Sequence, residues 1–424
     1  MALASALASA LAPAAARAAG SYAPIYAFSG PPGPIVPFGP LTQGDGATFY
    51  GTSYQGGTGT ACGFGCGTVY ALTVHRTAGV WSASVSTVYS FQGNDDGSGP
   101  EGGVVPGPHG VLYGTTAYGG TSQSGTVFAL VPHDGTWTKT VLFNFNGGSG
   151  SLPITPLLYG SDGALYGVAA GGQFGQGVVF QVKPGATAEA PWSEQVLFDF
   201  PGGSGGQAPY SGLVGDPATA MYGTTLYGGT GPCTRANGVG NPPIPGCGTA
   251  FSVTQPSPGT FATTLIYSFQ GGPRDGNTPG RLSMGSDGTL YGTTFGGGYF
   301  VDGRLSPWGC GQVFSLAPTG PAGGWQETLL HAFTGPGSPA CNPVGVTFQA
   351  AGRLLGTTSP QDADTSSAVF SLTLGRGGAW RLGTVADDIG PAATSPTITL
   401  AGHLLVGIDP YGGGGSGGAF LVAP

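Results

Sequence analysis

Short apolar runs recur along the chain in one form: a small residue, then apolar positions ending on an aromatic ring. They are Gly67-Thr68-Val69-Tyr70, Gly125-Thr126-Val127-Phe128, Gly177-Val178-Val179-Phe180, Gly248-Thr249-Ala250-Phe251, Gly311-Gln312-Val313-Phe314, Ser367-Ala368-Val369-Phe370 and Gly418-Ala419-Phe420. Runs this short, rich in β-branched and aromatic residues and barely alternating, predict strands covered on both faces. Ahead of each lies a Tyr-Gly marker or its degenerate form, at Tyr50-Gly51, Tyr113-Gly114, Tyr166-Gly167, Tyr222-Gly223, Tyr291-Gly292, Leu355-Gly356 and Val406-Gly407. The markers are separated by 63, 53, 56, 69, 64 and 51 residues. So long and uneven a period predicts propeller blades rather than a tight solenoid.

Each unit reads as four strands, a to d. In the second copy they fall at residues 102–106, 111–116, 125–131 and 137–145. Asp-Gly pairs such as Asp162-Gly163 and Asp287-Gly288 join a to b and suit the positive φ of a hairpin turn. His109-Gly110, Gly352 and Gly402 take that place in other copies. Strand d runs from an aromatic residue to a phenylalanine eight positions on, as in Trp137 to Phe145, Trp192 to Phe200, Phe261 to Phe269 and Trp325 to Phe333. Two extra residues separate Trp81 from Phe91, and the closing Phe after Trp380 is missing.

Strands a and b are rich in Gly, Thr and Ser, while c and d carry Phe, Leu, Tyr and Trp. That gradient matches blades radiating from an axis, with little room inside and more outside. The last unit ends on a strand c at residues 418–423, and residues 22–28 form a strand d with no strand a before it. Pairing the two would close the ring and remove two open sheet edges. The expected fold is all-β, a seven-bladed β-propeller whose N-terminal strand completes the last blade, in one domain over residues 21–424.

Composition supports this reading. The 86 Gly and 37 Pro would suggest disorder if scattered, but here they punctuate apolar runs and read as turns. Charged residues make up only 7% against 40% hydrophobic, which allows a large core and leaves few groups for acid–base chemistry. A formal net charge of -8, with Lys139 and Lys183 as the only lysines, argues against nucleic acid as a partner. Beyond the N-terminus no apolar run of about 18 residues predicts a membrane span. Residues 1–20, mostly Ala and Leu and ending in Ala16-Arg17-Ala18, fit a signal peptide cut near Ala18 or Ala19, though without the usual basic start. A secreted or cell-surface monomer is expected, without cofactor.

The string Asp287-Gly288-Thr289-Leu290-Tyr291-Gly292-Thr293-Thr294, then Gly296-Gly297 and Gly311-Gln312-Val313-Phe314, resembles the GloVer tandem repeat of bacterial surface proteins. The resemblance extends over essentially the whole chain after the leader. It implies a surface or secreted repeat protein and brings no catalytic residues with it. The run Gly135-Thr136-Trp137 is more faintly similar to the propeller of quinone-dependent dehydrogenases. No cofactor site accompanies it, and the Trp is read as packing.

Chemistry concentrates in the b-to-c loops and d-to-a connectors, which emerge on one face of a propeller. Cys62 and Cys66 share one such loop and Cys233 and Cys247 another, while Cys310 ends a third and Cys341 lies in the connector that follows. An even count in an exported chain predicts the disulfides Cys62–Cys66, Cys233–Cys247 and Cys310–Cys341. Metal binding would need a four-ligand set, and no Cys-x-x-Cys pair or neighbouring His supplies one.

The loops at 226–247 and 295–310 far exceed the short one at 117–124, and they are neighbours around the ring. With the connector between them they offer Arg235, Arg274, Asp275, Tyr299, Phe300, Asp302, Arg304 and Trp308. Aromatic rings beside charges on a rigid scaffold suit a surface for extracellular glycan or protein ligands. Insertions that only shield the channel mouth would look the same. Asp96, Asp162, Asp275 and Asp287 each precede Gly and read as turn residues. Asp95, Asp96 and Glu101 offer oxygen ligands of the kind Ca²⁺ takes, at a spacing unlike an EF-hand. The histidines, at 75, 109, 133, 331 and 403, belong to separate elements and form no triad. The expected function is a binding or adhesion module. The alternative is an extracellular polysaccharide lyase or hydrolase using Asp302, Arg304 and Arg274, and ordered self-assembly would instead mark a surface-layer component.

Overall fold

The computed structural model describes residues 21–187, 190–235, 243–257, 259–297, 309–320, 324–333, 341–350, 352–359, 367–386, 397–398, 405–409 and 416–423. The leader at 1–20 lies outside them. Among the described residues there is no α-helix, and no helix is long and apolar enough to cross a membrane.

The strands form seven antiparallel blades. Blade 1 comprises Pro34–Gln43, Thr48–Gly56, Thr68–Thr77 and Val80–Ser90; blade 2 Val104–Pro106, Leu112–Thr116, Thr126–His133 and Thr136–Asn144. Blade 3 comprises Leu158–Tyr159, Leu165–Ala169, Val178–Lys183 and Ser193–Asp199; blade 4 Val214–Asp216, Ala220–Thr225, Thr249–Ser257 and Thr260–Ser268. In blade 5 strand a is broken into Asn277–Pro279 and Ser283–Met284, both paired with Leu290–Gly296, followed by Gln312–Pro318 and Trp325–Ala332. Blade 6 comprises Pro343–Ala350, Arg353–Thr358, Val369–Leu374 and Trp380–Ala386.

Blade 7 consists of Thr397–Ile398, Leu405–Asp409, Gly418–Ala423 and, from the other end of the chain, Ser21–Ala27. The N-terminal strand pairs antiparallel with the last one, Tyr22 opposite Val422 and Ala27 opposite Gly418. Two details mark it as a strand d like the others. The Phe28 N–H donates to the Gly417 carbonyl at 3.0 Å, as Phe91, Phe145, Phe200, Phe269 and Phe333 donate to Gly67, Gly125, Gly177, Gly248 and Gly311. Ile25 is the extra residue of a β-bulge, at the position that Val88, Leu142, Leu197, Ile266, Leu330 and Val385 hold in blades 1 to 6. The bulged residue is aliphatic in every blade and, in all but blade 6, lies three positions before the closing Phe.

Two sets of aromatic contacts join neighbouring blades. The Phe closing strand d meets the ring of strand c in the next blade edge-on: Phe91–Phe128, Phe145–Phe180, Phe200–Phe251, Phe269–Phe314, Phe333–Phe370 and, across the closure, Phe28–Tyr70, all 5.0–5.4 Å between centroids. Toward the other end of strand d, the marker Tyr packs on the aromatic that opens strand d of the next blade, in Tyr50–Trp137, Tyr113–Trp192, Tyr166–Phe261, Tyr222–Trp325 and Tyr291–Trp380, at 5.4–6.3 Å. Trp137 is therefore a packing residue. Between blades 6 and 7, Val385 and Ala386 pack with Phe420 instead.

The glycine after the marker Tyr has a steric cause. In all seven blades it lies directly opposite the aromatic residue of strand c, Gly292 opposite Phe314 for example, and a Cβ would run into that ring. Turn chemistry departs from expectation. At the a–b turns of blades 3 and 5 only the glycine has positive φ, while the Asp162 and Asp287 carboxylates accept the N–H two residues on, from Ala164 at 3.1 Å and Thr289 at 3.0 Å. In blade 2 the a–b turn does carry two positive φ angles, at His109-Gly110, and two-residue turns of that kind also lie between c and d, at Asp134-Gly135 and Ala78-Gly79.

Candidate functional site

Each disulfide lies on one face, at a joint between blades. The bonds are Cys62–Cys66, Cys233–Cys247 and Cys310–Cys341, and no described cysteine is free. Cys66, Cys247 and Cys310 precede strand c, and their carbonyls accept N–H groups of the following connector: Gly99 at 2.9 Å, Thr278 at 2.8 Å and Asn342 at 2.8 Å. Each disulfide loop is thus pinned to the blade ahead of it.

The long loop of blade 4 folds into a small hairpin of its own, Thr234–Arg235 against Ile244–Pro245. Between this hairpin and the connector into blade 5 lies a cavity of about 440 Å³, lined by Tyr227, Cys233, Thr234, Arg235, Gln270, Asn277 and Thr278 among others. Its size falls within the range typical of small-ligand sites. Arg235 is exposed, and its guanidinium lies 5.2 Å from the Tyr227 ring centroid. Among the described residues lining the cavity it is the only charged one. Gln270 is fixed by its side-chain N–H groups, which donate to the Ser268 carbonyl at 2.8 Å and to the Thr230 hydroxyl at 3.2 Å. Thr278 donates its hydroxyl to the Asn277 amide oxygen at 3.2 Å. The described part of the wall is therefore a preformed set of amides and hydroxyls beneath one cation.

A smaller cavity of about 140 Å³ occupies the equivalent joint of blades 1 and 2, lined by Tyr54, Phe64, Ser98 and Tyr118 beside Cys62–Cys66.

Of the residues expected at the site, Arg235 lines the larger cavity. Arg274 is exposed on the connector, while Asp275 is committed behind it, its carboxylate accepting the Tyr267 hydroxyl at 2.9 Å and the Gln270 backbone N–H at 2.7 Å. Tyr299, Phe300, Asp302, Arg304 and Trp308 lie outside the described residues. Tyr227, Gln270, Asn277 and Thr278 were not anticipated. Gln270 could have been found from a repeat landmark, since it comes directly after the closing Phe269 as Gln92 does after Phe91.

The calcium reading of Asp95, Asp96 and Glu101 is corrected by the geometry. Asp96 accepts the Tyr89 hydroxyl, the Gln92 N–H and the Lys139 ammonium, the last at 2.8 Å, so a protein cation already occupies that carboxylate. Glu101 lies in the connector ahead of blade 2, where burial pushes its carboxyl up to about 7. No group of three or more His, Cys, Asp or Glu residues suited to a metal occurs among the described residues.

The Gloeobacter/Verrucomicrobia repeat family model matches residues 15–237. No curated protein matches the chain. Among solved structures, a protein from Lactobacillus plantarum is 13% identical with a TM-score of 0.50, the match covering 86% of this chain and 89% of that one. A polysaccharide lyase of family PL25, an ulvan lyase, is 10% identical with a TM-score of 0.50 over 95% of both chains. An ancestral GH74 enzyme is 12% identical with a TM-score of 0.50, covering 92% of this chain and 51% of that one. At these identities the likeness is one of fold.

Proposed function

The chain belongs to the Gloeobacter/Verrucomicrobia repeat family, and from that premise and the cleft between blades 4 and 5 we propose an extracellular binding module for acidic polysaccharide. The single observation that carries this reading is Arg235, stacked beside Tyr227 as the only charge among the described residues of a wall of amides and hydroxyls. A guanidinium pairs bidentately with carboxylate or sulfate, the half-buried Tyr227 ring borders the cleft where a sugar would lie, and Gln270 and Thr278 suit its hydroxyls. Three disulfides in a chain of this size support an oxidising, extracellular setting.

Affinity electrophoresis in gels containing polygalacturonate or a neutral β-glucan tests the reading. Retardation is expected in the acidic gel alone. Arg235→Ala should weaken it about tenfold, a loss of about 1.4 kcal/mol, with partial recovery in Arg235→Lys. Equal retardation in both gels, or no effect of Arg235→Ala, would remove the cleft from consideration. The alternative of polysaccharide cleavage draws on the ulvan lyase and GH74 neighbours. It would appear in the same samples as shortening of the polymer, lost in Asp302→Asn.

A further inference from the structure

The joint between blades 4 and 5 repeats the joint between blades 1 and 2 with one charge reversed. At blades 1 and 2, Asp96 accepts the Tyr89 hydroxyl at 2.9 Å on Oδ1 and the Gln92 N–H at 2.7 Å on Oδ2. Lys139, opposite Leu130 in the sheet, adds its ammonium to Oδ1 at 2.8 Å and also donates to the Asp96 carbonyl. That ammonium is buried over the rings of Tyr89, Phe91 and Phe128. At blades 4 and 5, Asp275 accepts the Tyr267 hydroxyl and the Gln270 N–H, both on Oδ2. The sheet position of Lys139 is taken by Glu327, opposite Leu316. Asp275 Oδ1 is buried with no hydrogen-bond partner among the described residues.

A buried acceptor without a donor is costly, and so is a pair of facing carboxylates that both ionise. A single proton relieves both. We propose that Asp275 and Glu327 form a proton-operated latch: a neutral Glu327 donates its O–H to Asp275 Oδ1 and clasps blade 5 to the connector, and loss of that proton sets two carboxylates against each other. The connector at 270–278 supplies Gln270, Gly272, Asn277 and Thr278 to the cleft, so loosening it blurs the cleft wall. That last step rests on the cleft being the ligand site.

The surroundings place the switch near neutrality. Burial, with the charge of Asp275 adding, pushes Glu327 up to about 7. Burial also raises Asp275, against the lowering pull of the Gln270 N–H and the Tyr267 hydroxyl. Tyr267 faces the pair from blade 4, and its own hydroxyl is held protonated by burial and the two carboxylates. From strand c of blade 5 come the uncharged Leu316 and Gln312, the latter donating to the Pro273 carbonyl at 2.8 Å. Arg274 is exposed on the connector, and no ion pair joins it to Asp275 among the described residues.

The test compares thermal unfolding of the full chain with that of Glu327→Gln and Glu327→Lys at pH 5.5 and pH 8. Glutamine copies the neutral acid, and lysine rebuilds the Asp96–Lys139 arrangement. At pH 5.5 the parent and the Gln variant should unfold together. At pH 8 both variants should unfold higher than the parent, by on the order of 1–3 °C. Hydrogen exchange, corrected for intrinsic rate, should show protection at 270–278 falling about tenfold from pH 5.5 to 8 in the parent and holding in the Gln variant. A difference between Gln variant and parent that is the same at both pH values, or protection that falls alike in both, overturns the latch. Neither readout uses a ligand, so a cleft that binds no polysaccharide leaves this result standing.

Discussion

Tyr70 shows what a single atom does in this ring. It occupies the strand-c position held by Phe128, Phe180, Phe251, Phe314, Phe370 and Phe420 in the other blades, it is fully buried, and its hydroxyl has no hydrogen-bond partner among the described residues. The ring is required, because it covers Gly51 on the neighbouring strand and receives the edge of Phe28 across the closure. The oxygen is not. Burying a hydroxyl without a partner costs about 1–3 kcal/mol. Tyr70→Phe is therefore expected to stabilise the protein by about 1 kcal/mol in urea unfolding with an unchanged slope, and a variant less stable than the parent would reveal a donor or acceptor for that oxygen. The sequence makes the Tyr-for-Phe exchange visible but not its cost. Likewise the string Tyr-Gly is plain in the sequence, yet the reason for the glycine is not. It depends on register, which sets Gly292 against Phe314 although 21 positions lie between them.

At the scale of elements, most strands were legible because a blade is covered on both faces, which leaves strand c a nearly continuous apolar run and strands a and b small residues. The expected strand c at 125–131 is observed as Thr126–His133, and the expected d at 137–145 as Thr136–Asn144. What remained hidden was irregular: the seven bulges, the broken strand a of blade 5 and the hairpin inside the long loop of blade 4. The last two are set by tertiary partners rather than by local pattern. The candidate site was only half legible for the same reason. Loop length pointed to Arg235, but Gln270, Asn277 and Thr278 enter the cleft through the hydrogen bonds of a connector. The closing strand offers a test at this scale. Phe28 is as buried and as edge-packed as Phe145 inside the ring, so truncating either to Ala should cost a similar amount, about 3–5 kcal/mol. A far smaller loss for Phe28→Ala, measured by the same urea transition, would mean that the terminal strand frays and the ring is held by the remaining six joints.

For the whole molecule, the scarcity of charge makes the few half-buried acids decisive. Glu101 ahead of blade 2, Glu194 in blade 3 and Glu327 in blade 5 are each pushed from 4.5 up to about 7, by burial in every case and, for Glu327, by Asp275 as well. Each binds its proton more tightly in the folded chain than in the unfolded one. Their contribution is then fully present below pH 4.5 and is lost as pH rises through about 7. His331 opposes them: burial lowers it from 6.5, so folding disfavours its charged form and stability is lost as pH falls through that range. Three acids against one histidine give a net loss of stability on going from pH 5.5 to pH 8. These groups are only partly buried, so solvent screening keeps the effect modest, and a fall in Tm of a few °C is the expected size. Calorimetry at constant ionic strength between pH 5 and 8 checks this, with Glu101→Gln and Glu194→Gln each flattening part of the slope. A Tm that stays level or climbs toward pH 8 would mean that these carboxylates reach solvent and keep their ordinary acidity, and the ring would then owe its pH response to groups elsewhere.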